Sequence, residues 1–131
     1  MFDVIIAGGG PAGSVCAARL RQRGKRVLVL EKEHFPRFHL GESLLPQSLI
    51  ILNTIGALEK ARARFIEKHG ALFTDDRTNG GGRVARFVFA NAFSATFIHA
   101  FQVPRDEFDK MLLDHAKELG ADVREGITVT R

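Results

Sequence analysis

Tryptophan and tyrosine are absent from the chain, and cysteine occurs once. Eleven phenylalanines are the only aromatics besides histidine, so the aromatic content reads as core material rather than a stacking surface for bases. The single Cys16 excludes an intrachain disulfide and a cysteine-based zinc site. It fits a reducing compartment, the cytoplasm, and reads as a small packing residue. No apolar run reaches the length of a membrane span. The N-terminal MFDVIIAGGG has no basic leader and turns into glycines, so it reads as a strand rather than a signal peptide. Long runs of one charge are also missing. The net charge is +4, but no Lys/Arg run exceeds two, which argues against a nucleic-acid arm and for a smaller anionic partner. His34, His39, His99 and His115 fall in no metal-ligand spacing, and no metal site is expected.

What is present is enough for one folded domain: 131 residues, 45% hydrophobic and 26% charged. Residues 2–7 form a short apolar run that ends at Gly8, the pattern of a buried parallel strand. Residues 12–23 follow as a helix with Gly24 as its stop, and residues 26–31 as a second buried strand. These make a βαβ unit. After a loop over 32–43, Ser43 is placed to N-cap a helix over 44–55, with Leu45, Leu49 and Leu52 on one face and Gly56 as its end. A short amphipathic helix is expected over 57–67. The period then changes to that of strands at 70–75, 83–90 and 95–103, with a DDRTNGGG turn between the first two, and an antiparallel meander is expected. Residues 105–119 return to a helix, with Phe108, Met111, Leu112, His115 and Leu119 on one face. Residues 121–125, with Ile127 and Val129, read as a last strand. The fold class is therefore α/β: a Rossmann-like parallel sheet with an inserted antiparallel β-meander.

The turn Gly8-Gly9-Gly10-Pro11-Ala12-Gly13 matches G-x-G-x-x-G. The pattern alone is weak, but here a strand precedes it, a helix follows, and an acid ends the next strand, eighteen residues after Gly13. Gly8 permits the tight turn, Gly10 a close approach of backbone to a diphosphate, and Gly13 close packing of helix on strand. The N–H groups of residues 12–14 and the helix dipole favour an anion there. Glu31 is placed to accept hydrogen bonds from ribose hydroxyls. A carboxylate there repels a 2′-phosphate, so the ADP-ribose of FAD or NAD fits better than NADP.

The loop Pro36-Arg37-Phe38-His39-Leu40-Gly41-Glu42-Ser43-Leu44-Leu45-Pro46 carries a resemblance. With Gln102-Val103-Pro104-Arg105-Asp106-Glu107-Phe108-Asp109, it resembles FAD-dependent oxidoreductases of the para-hydroxybenzoate hydroxylase fold, and within them the flavin-dependent halogenases. The resemblance runs from residue 2 to the last residue. The halogenases' later G-D segment and G-W-x-W-x-I-P segment have no counterpart here. It therefore implies the N-terminal portion of a longer enzyme: a partial FAD-binding domain over 1–131, with 68–103 as the start of the substrate-domain meander. A first strand stripped of its outer neighbour is then an exposed edge, and self-association through it is expected.

The resemblance implies FAD as cofactor, held at the diphosphate by Gly8, Gly10, Ala12 and Gly13 and at the ribose by Glu31. It places Arg37 along the phosphates, Glu42 and Ser43 near the flavin half, and Arg105 against the cofactor. Lys68, in Lys68-His69-Gly70-Ala71, matches a lysine that in such halogenases delivers electrophilic halogen to an electron-rich aromatic substrate. The implied enzyme uses reduced FAD from a separate flavin reductase, with oxygen and halide. From the residues alone, bland alternatives stand: Arg37 and Arg105 as solvated arginines, Ser43 as an N-cap, Lys68 as a helix-terminal cation. A stand-alone FAD/ADP-binding module and an inactive fragment of a hydroxylase-type monooxygenase stand as alternatives to the halogenase reading.

Overall fold

A computed structural model of the chain describes residues 1–75, 82–92 and 96–130. The parallel sheet has the order β1 (Val4–Ala7), β2 (Val27–Glu31), β7 (Asp122–Glu125). Its register runs Val4↔Val27 to Ala7↔Leu30 and Leu28↔Asp122 to Glu31↔Glu125. The central strand β2 has four of its five residues buried, as its unbroken apolar run requires. The edge strand β1 alternates between half-buried and exposed.

Helix α1 (Pro11–Gln22) connects β1 to β2 and starts with proline at its first position, where no amide hydrogen is needed. It packs against α4 (Arg105–Glu118) and carries two fully buried alanines, Ala17 and Ala18, which let the backbones approach. The expected face of α4 is buried: Phe108, Met111 and Leu112, with Leu119 packed on the core just beyond the helix. Buried His115 bonds the Ile55 carbonyl through Nε2 at 2.8 Å, which makes it a structural link between helices. Cys16 is exposed rather than packed, because the buried side of α1 falls on Ser14, Ala17 and Ala18.

Five other expectations are corrected. Helix α2 (Pro46–Ile55) begins at proline, so its cap position is Leu45, which is exposed; the buried face is Leu49, Leu52 and Ile55. Ser43 therefore caps nothing and bridges to Gln102, its hydroxyl donating to Oε1 at 2.8 Å. The helix expected over 57–67 stops after α3 (Leu58–Arg62), and the chain becomes β3 (Ile66–Lys68), which pairs with β6 (Ala100–Gln102). Pairing with a distant strand overrides local helix propensity there. β4 (Gly70–Asp75) and β5 (Arg83–Val88) form the expected hairpin; most of its turn, residues 76–81, lies outside the described residues. The third strand is short and joins β3 rather than β5, so the insertion is two antiparallel pairs, not one continuous meander. β7 ends at Glu125, because Gly126 has φ +75° and turns the backbone out of the sheet. Among the described residues no helix is long and apolar enough to cross a membrane.

Candidate functional site

The carboxyl ends of β1 and β2 open into a groove of about 300 Å³. This is where parallel sheets place ligands. One wall is the glycine turn, with Ala7, Gly8 and Gly10; the second is Leu30, Glu31, Lys32, Glu33 and Arg37; the third is Ile127, Thr128 and Val129. The pattern of Ile127 and Val129 predicts that the third wall continues the last strand. It is instead held across the strand ends by the Ile127 N–H, which donates to the Glu31 carbonyl at 2.9 Å.

Glu31 is almost fully buried at the floor of this groove. Its carboxylate accepts the Gly9 N–H at 2.5 Å and the Glu33 N–H at 2.9 Å. A carboxylate offers about four acceptor positions, so two backbone donors leave room for two more. The glycine turn is tight and closely packed on the start of α1. Gly8 sits at φ +102°, and a Cβ on Gly13 would stand 1.9 Å from the Gly8 carbonyl oxygen. Of the three N–H groups expected to face an anion, that of Ser14 is committed to the Gly10 carbonyl at 2.9 Å. Those of Ala12 and Gly13 belong to the first turn, which has no intrahelical partners to offer.

Arg37 stands over the same turn. A Cβ on Gly10 would lie 3.4 Å from its Nη2. The guanidinium rests on the Phe35 ring, 4.8 Å from the centroid, with Glu33 2.9 Å from Nε and Asp109 3.7 Å from Nη2. Arg105 does not line the groove. It forks onto Asp109, Nε to Oδ1 at 2.8 Å and Nη2 to Oδ2 at 3.0 Å, and Nη1 donates to the Leu40 carbonyl at 2.8 Å. Asp109 is fully buried and was not among the residues expected at the site. Its i,i+4 spacing from Arg105 was the available signal; its approach to Arg37 exists only in three dimensions.

Glu42 and Ser43 run beside β6, where the Val103 N–H donates to the Glu42 carbonyl and the Leu44 N–H to that of Phe101. Lys68 is on β3, half-buried, with its amine 5.6 Å from the Phe89 ring centroid. It is not part of the groove. On the opposite side of β3, Glu67 lies 3.6 Å from both His69 and His99. The fold thus gathers Gly8, Gly10, Glu31 and Arg37 at one place, with Ala12 and Gly13 on the adjoining helical turn. It leaves Lys68 on a separate strand pair.

Compared with known families, the chain matches the FAD binding domain profile over residues 1–131. The chain belongs to the FAD-binding domain family. Its cofactor is FAD, and the groove brings together groups an adenosine diphosphate can use: a buried carboxylate, a glycine turn and an arginine beside it. Among curated relatives, a 1H-pyrrole-2-carbonyl-[peptidyl-carrier protein] chlorinase of Pseudomonas fluorescens is 39% identical, covering 98% of this chain and 32% of the relative. A flavoprotein/dehydrogenase of Cytophaga hutchinsonii has a TM-score of 0.89 at 40% identity, covering 98% of this chain and 31% of that one. The myxobacterial chondrochloren halogenase, an FAD-dependent halogenase, gives 0.84 at 39% identity, over 95% and 28%. This FAD-binding domain spans about a quarter to a third of the length of the curated relatives it matches.

The loop that carries Arg37 is anchored by a titratable group. Glu125 accepts the Phe35 N–H at 2.8 Å and the Lys117 amine at 3.2 Å. Burial works to raise its pKa, but the Phe35 N–H and Lys117 outweigh it and hold the carboxyl below its ordinary 4.5. A depressed carboxylate stabilises the fold above its ordinary pKa, and that contribution is lost as the pH falls from 4.5 through the lowered value. Glu125→Gln is expected to remove roughly 1 kcal/mol of stability at neutral pH and to flatten this part of the acid limb. Urea denaturation at a series of pH values checks it; an unchanged acid limb would contradict the assignment.

Proposed function

We propose that this chain is the part of a flavin-dependent halogenase that holds the adenosine diphosphate half of FAD. The observation that carries the reading is the buried Glu31 carboxylate at the end of β2, facing the same groove as the glycine turn and Arg37. Glu31 accepts the ribose hydroxyls; Gly8, Gly10, Ala12 and Gly13 give the diphosphate its cradle; Arg37 offers a planar fork to its oxygens. Glu42 and Ser43 lie toward the flavin half, and Arg105 acts through the residues it ties together. Bound FAD supplies the electron transfer and, when reduced by a separate flavin reductase, the activation of oxygen. Halide oxidised by that oxygen, which leaves as water, would reach Lys68 as electrophilic halogen, and Lys68 would hand it to an electron-rich aromatic ring, a phenol or a pyrrole, whose displaced proton goes to solvent. The 36–41% identity of the segment to curated halogenases supports that assignment.

A second reading, a module that holds FAD or ADP and catalyses nothing alone, has its own support. All three groove walls come from this chain, whereas Lys68 is not in the groove. Calorimetric titration with FAD and with ADP is followed by an assay with enzymatically reduced FAD, oxygen, bromide and a phenol or pyrrole acceptor, read by mass spectrometry. Brominated product that disappears in Lys68→Ala supports the halogenase reading. Binding of FAD and ADP without product limits the chain to the module. Failure to bind either overturns both.

Self-association through β1 belongs to the same proposal. β1 is the sheet's edge, and Ile5 on it is 62% exposed. Sedimentation velocity at rising concentration is expected to show a dimer or larger species that Ile5→Lys returns to monomer, since a lysine on an edge strand blocks pairing. A wild-type chain that stays monomeric sinks the idea.

A further inference from the structure

We propose that Asp109 is a positioning residue for the cofactor's diphosphate, fixing the Arg37 guanidinium over the glycine turn. The inference rests on the reading that Arg37 contacts that diphosphate. Asp109 is fully buried, and a buried carboxylate needs cations around it. The two-pronged bond from Arg105 already satisfies much of that need. Arg37 nevertheless brings Nη2 to 3.7 Å from Oδ2, the same oxygen that Arg105 Nη2 uses. One buried carboxylate thus holds two guanidinium groups.

Arg37 needs such a hold. Its side chain is only 15% exposed, yet its Nε has no hydrogen-bond partner. Glu33 is 2.9 Å from that nitrogen but makes an ion pair without a hydrogen bond. The Phe35 ring supports one side of the guanidinium. Charge and stacking, not a hydrogen-bonded fork, keep it beside Gly10. Nε is buried, but the Nη end stands beside Gly10 at the groove, where an anion can meet it. Asp109 is the fixed end of this arrangement, because Arg105 ties it to the Leu40 carbonyl and α4 ties it to the core.

The sign of the effect separates positioning from simple electrostatics. Asp109→Asn removes a negative charge near the groove. Acting through space alone, that change strengthens the binding of a diphosphate. Acting through Arg37, it weakens binding. The experiment is calorimetric titration of the folded chain with ADP, FAD and adenosine, for wild type, Asp109→Asn, Arg37→Met and the double variant. Asp109→Asn is expected to weaken ADP and FAD about tenfold and leave adenosine within about twofold. In the Arg37→Met background the same change is expected to add nothing for ADP.

Tighter or unchanged ADP binding in Asp109→Asn overturns the proposal. So does an equal loss for adenosine, the mark of a merely structural role, or a full loss retained in the Arg37→Met background. If Arg37→Met binds ADP as wild type does, the underlying reading of Arg37 fails, and that outcome is separate from a failure of Asp109. Should Asp109→Asn not fold, Asp109→Glu, which keeps the charge and moves the carboxylate by one methylene, carries the same ADP-against-adenosine comparison.

Discussion

Gly13→Ala is expected to cost roughly 3 kcal/mol or more of stability, a large share of what a domain this size has. On an exposed helix the same change stabilises by up to about 1 kcal/mol, because alanine is the better helix former. Here the added Cβ would lie 1.9 Å from the Gly8 carbonyl oxygen, 3.1 Å from its carbon and 3.3 Å from Ile6 Cγ2. Two of these atoms are backbone, so no side chain can swing away; α1 must lift from the turn between it and β1. The steric term exceeds the propensity gain and sets the sign. Gly8→Ala is the control within the same turn. Its Cβ would meet nothing within 4 Å, but φ is +102°, so only conformational strain of about 1–2 kcal/mol is expected. Urea denaturation of both variants, with ADP binding measured alongside, checks the order. Equal destabilisation by the two would mean that close packing of α1 on the turn is not what Gly13 provides.

The contrast between these glycines bears on how much could be read from the chain. The βαβ unit was legible because its signals are local: an apolar run, a glycine turn, a helix with a glycine stop, a second run ending in an acid. The face of α4 was legible for the same reason, since a 3.6-residue period is written in adjacent turns. β3 was not, because residues 66–68 pair with residues more than thirty positions later, and local propensity favoured continuing the helix. Ser43 shows a subtler case. A serine before an apolar helical pattern satisfies the rule for an N-cap, but Pro46 starts the helix three residues later, and the serine bonds to Gln102 on another strand. Gly8, Gly10, Glu31 and Arg37, singled out by motif and resemblance, do meet at one groove. Asp109, Glu125 and residues 127–129 were not singled out, because each contributes by reaching a segment far away in sequence.

Glu31 is proposed as the ribose acceptor, and the structure shows it in a second task. The same carboxylate that faces the groove accepts the N–H of Gly9 in the glycine turn and of Glu33 in the following loop. It therefore locks together the two segments that carry the cradle and Arg37. Glu31→Gln keeps the shape but turns one acceptor oxygen into a donor amide, which must face a backbone N–H or the ligand. Leaving one buried N–H unpaired costs about 1–3 kcal/mol, so stability is expected to fall by roughly 2 kcal/mol. ADP affinity is expected to fall about 10- to 100-fold, since hydrogen bonds to a charged acceptor are lost with the ribose as well. The two losses can be told apart with 2′-deoxy-ADP. Wild type is expected to bind it about tenfold more weakly than ADP, and Glu31→Gln to bind both alike. If Glu31→Gln loses stability but still prefers ADP over its deoxy analogue by the wild-type factor, the carboxylate serves only as the clasp between turn and loop, and the ribose must be recognised from the wall at residues 127–129.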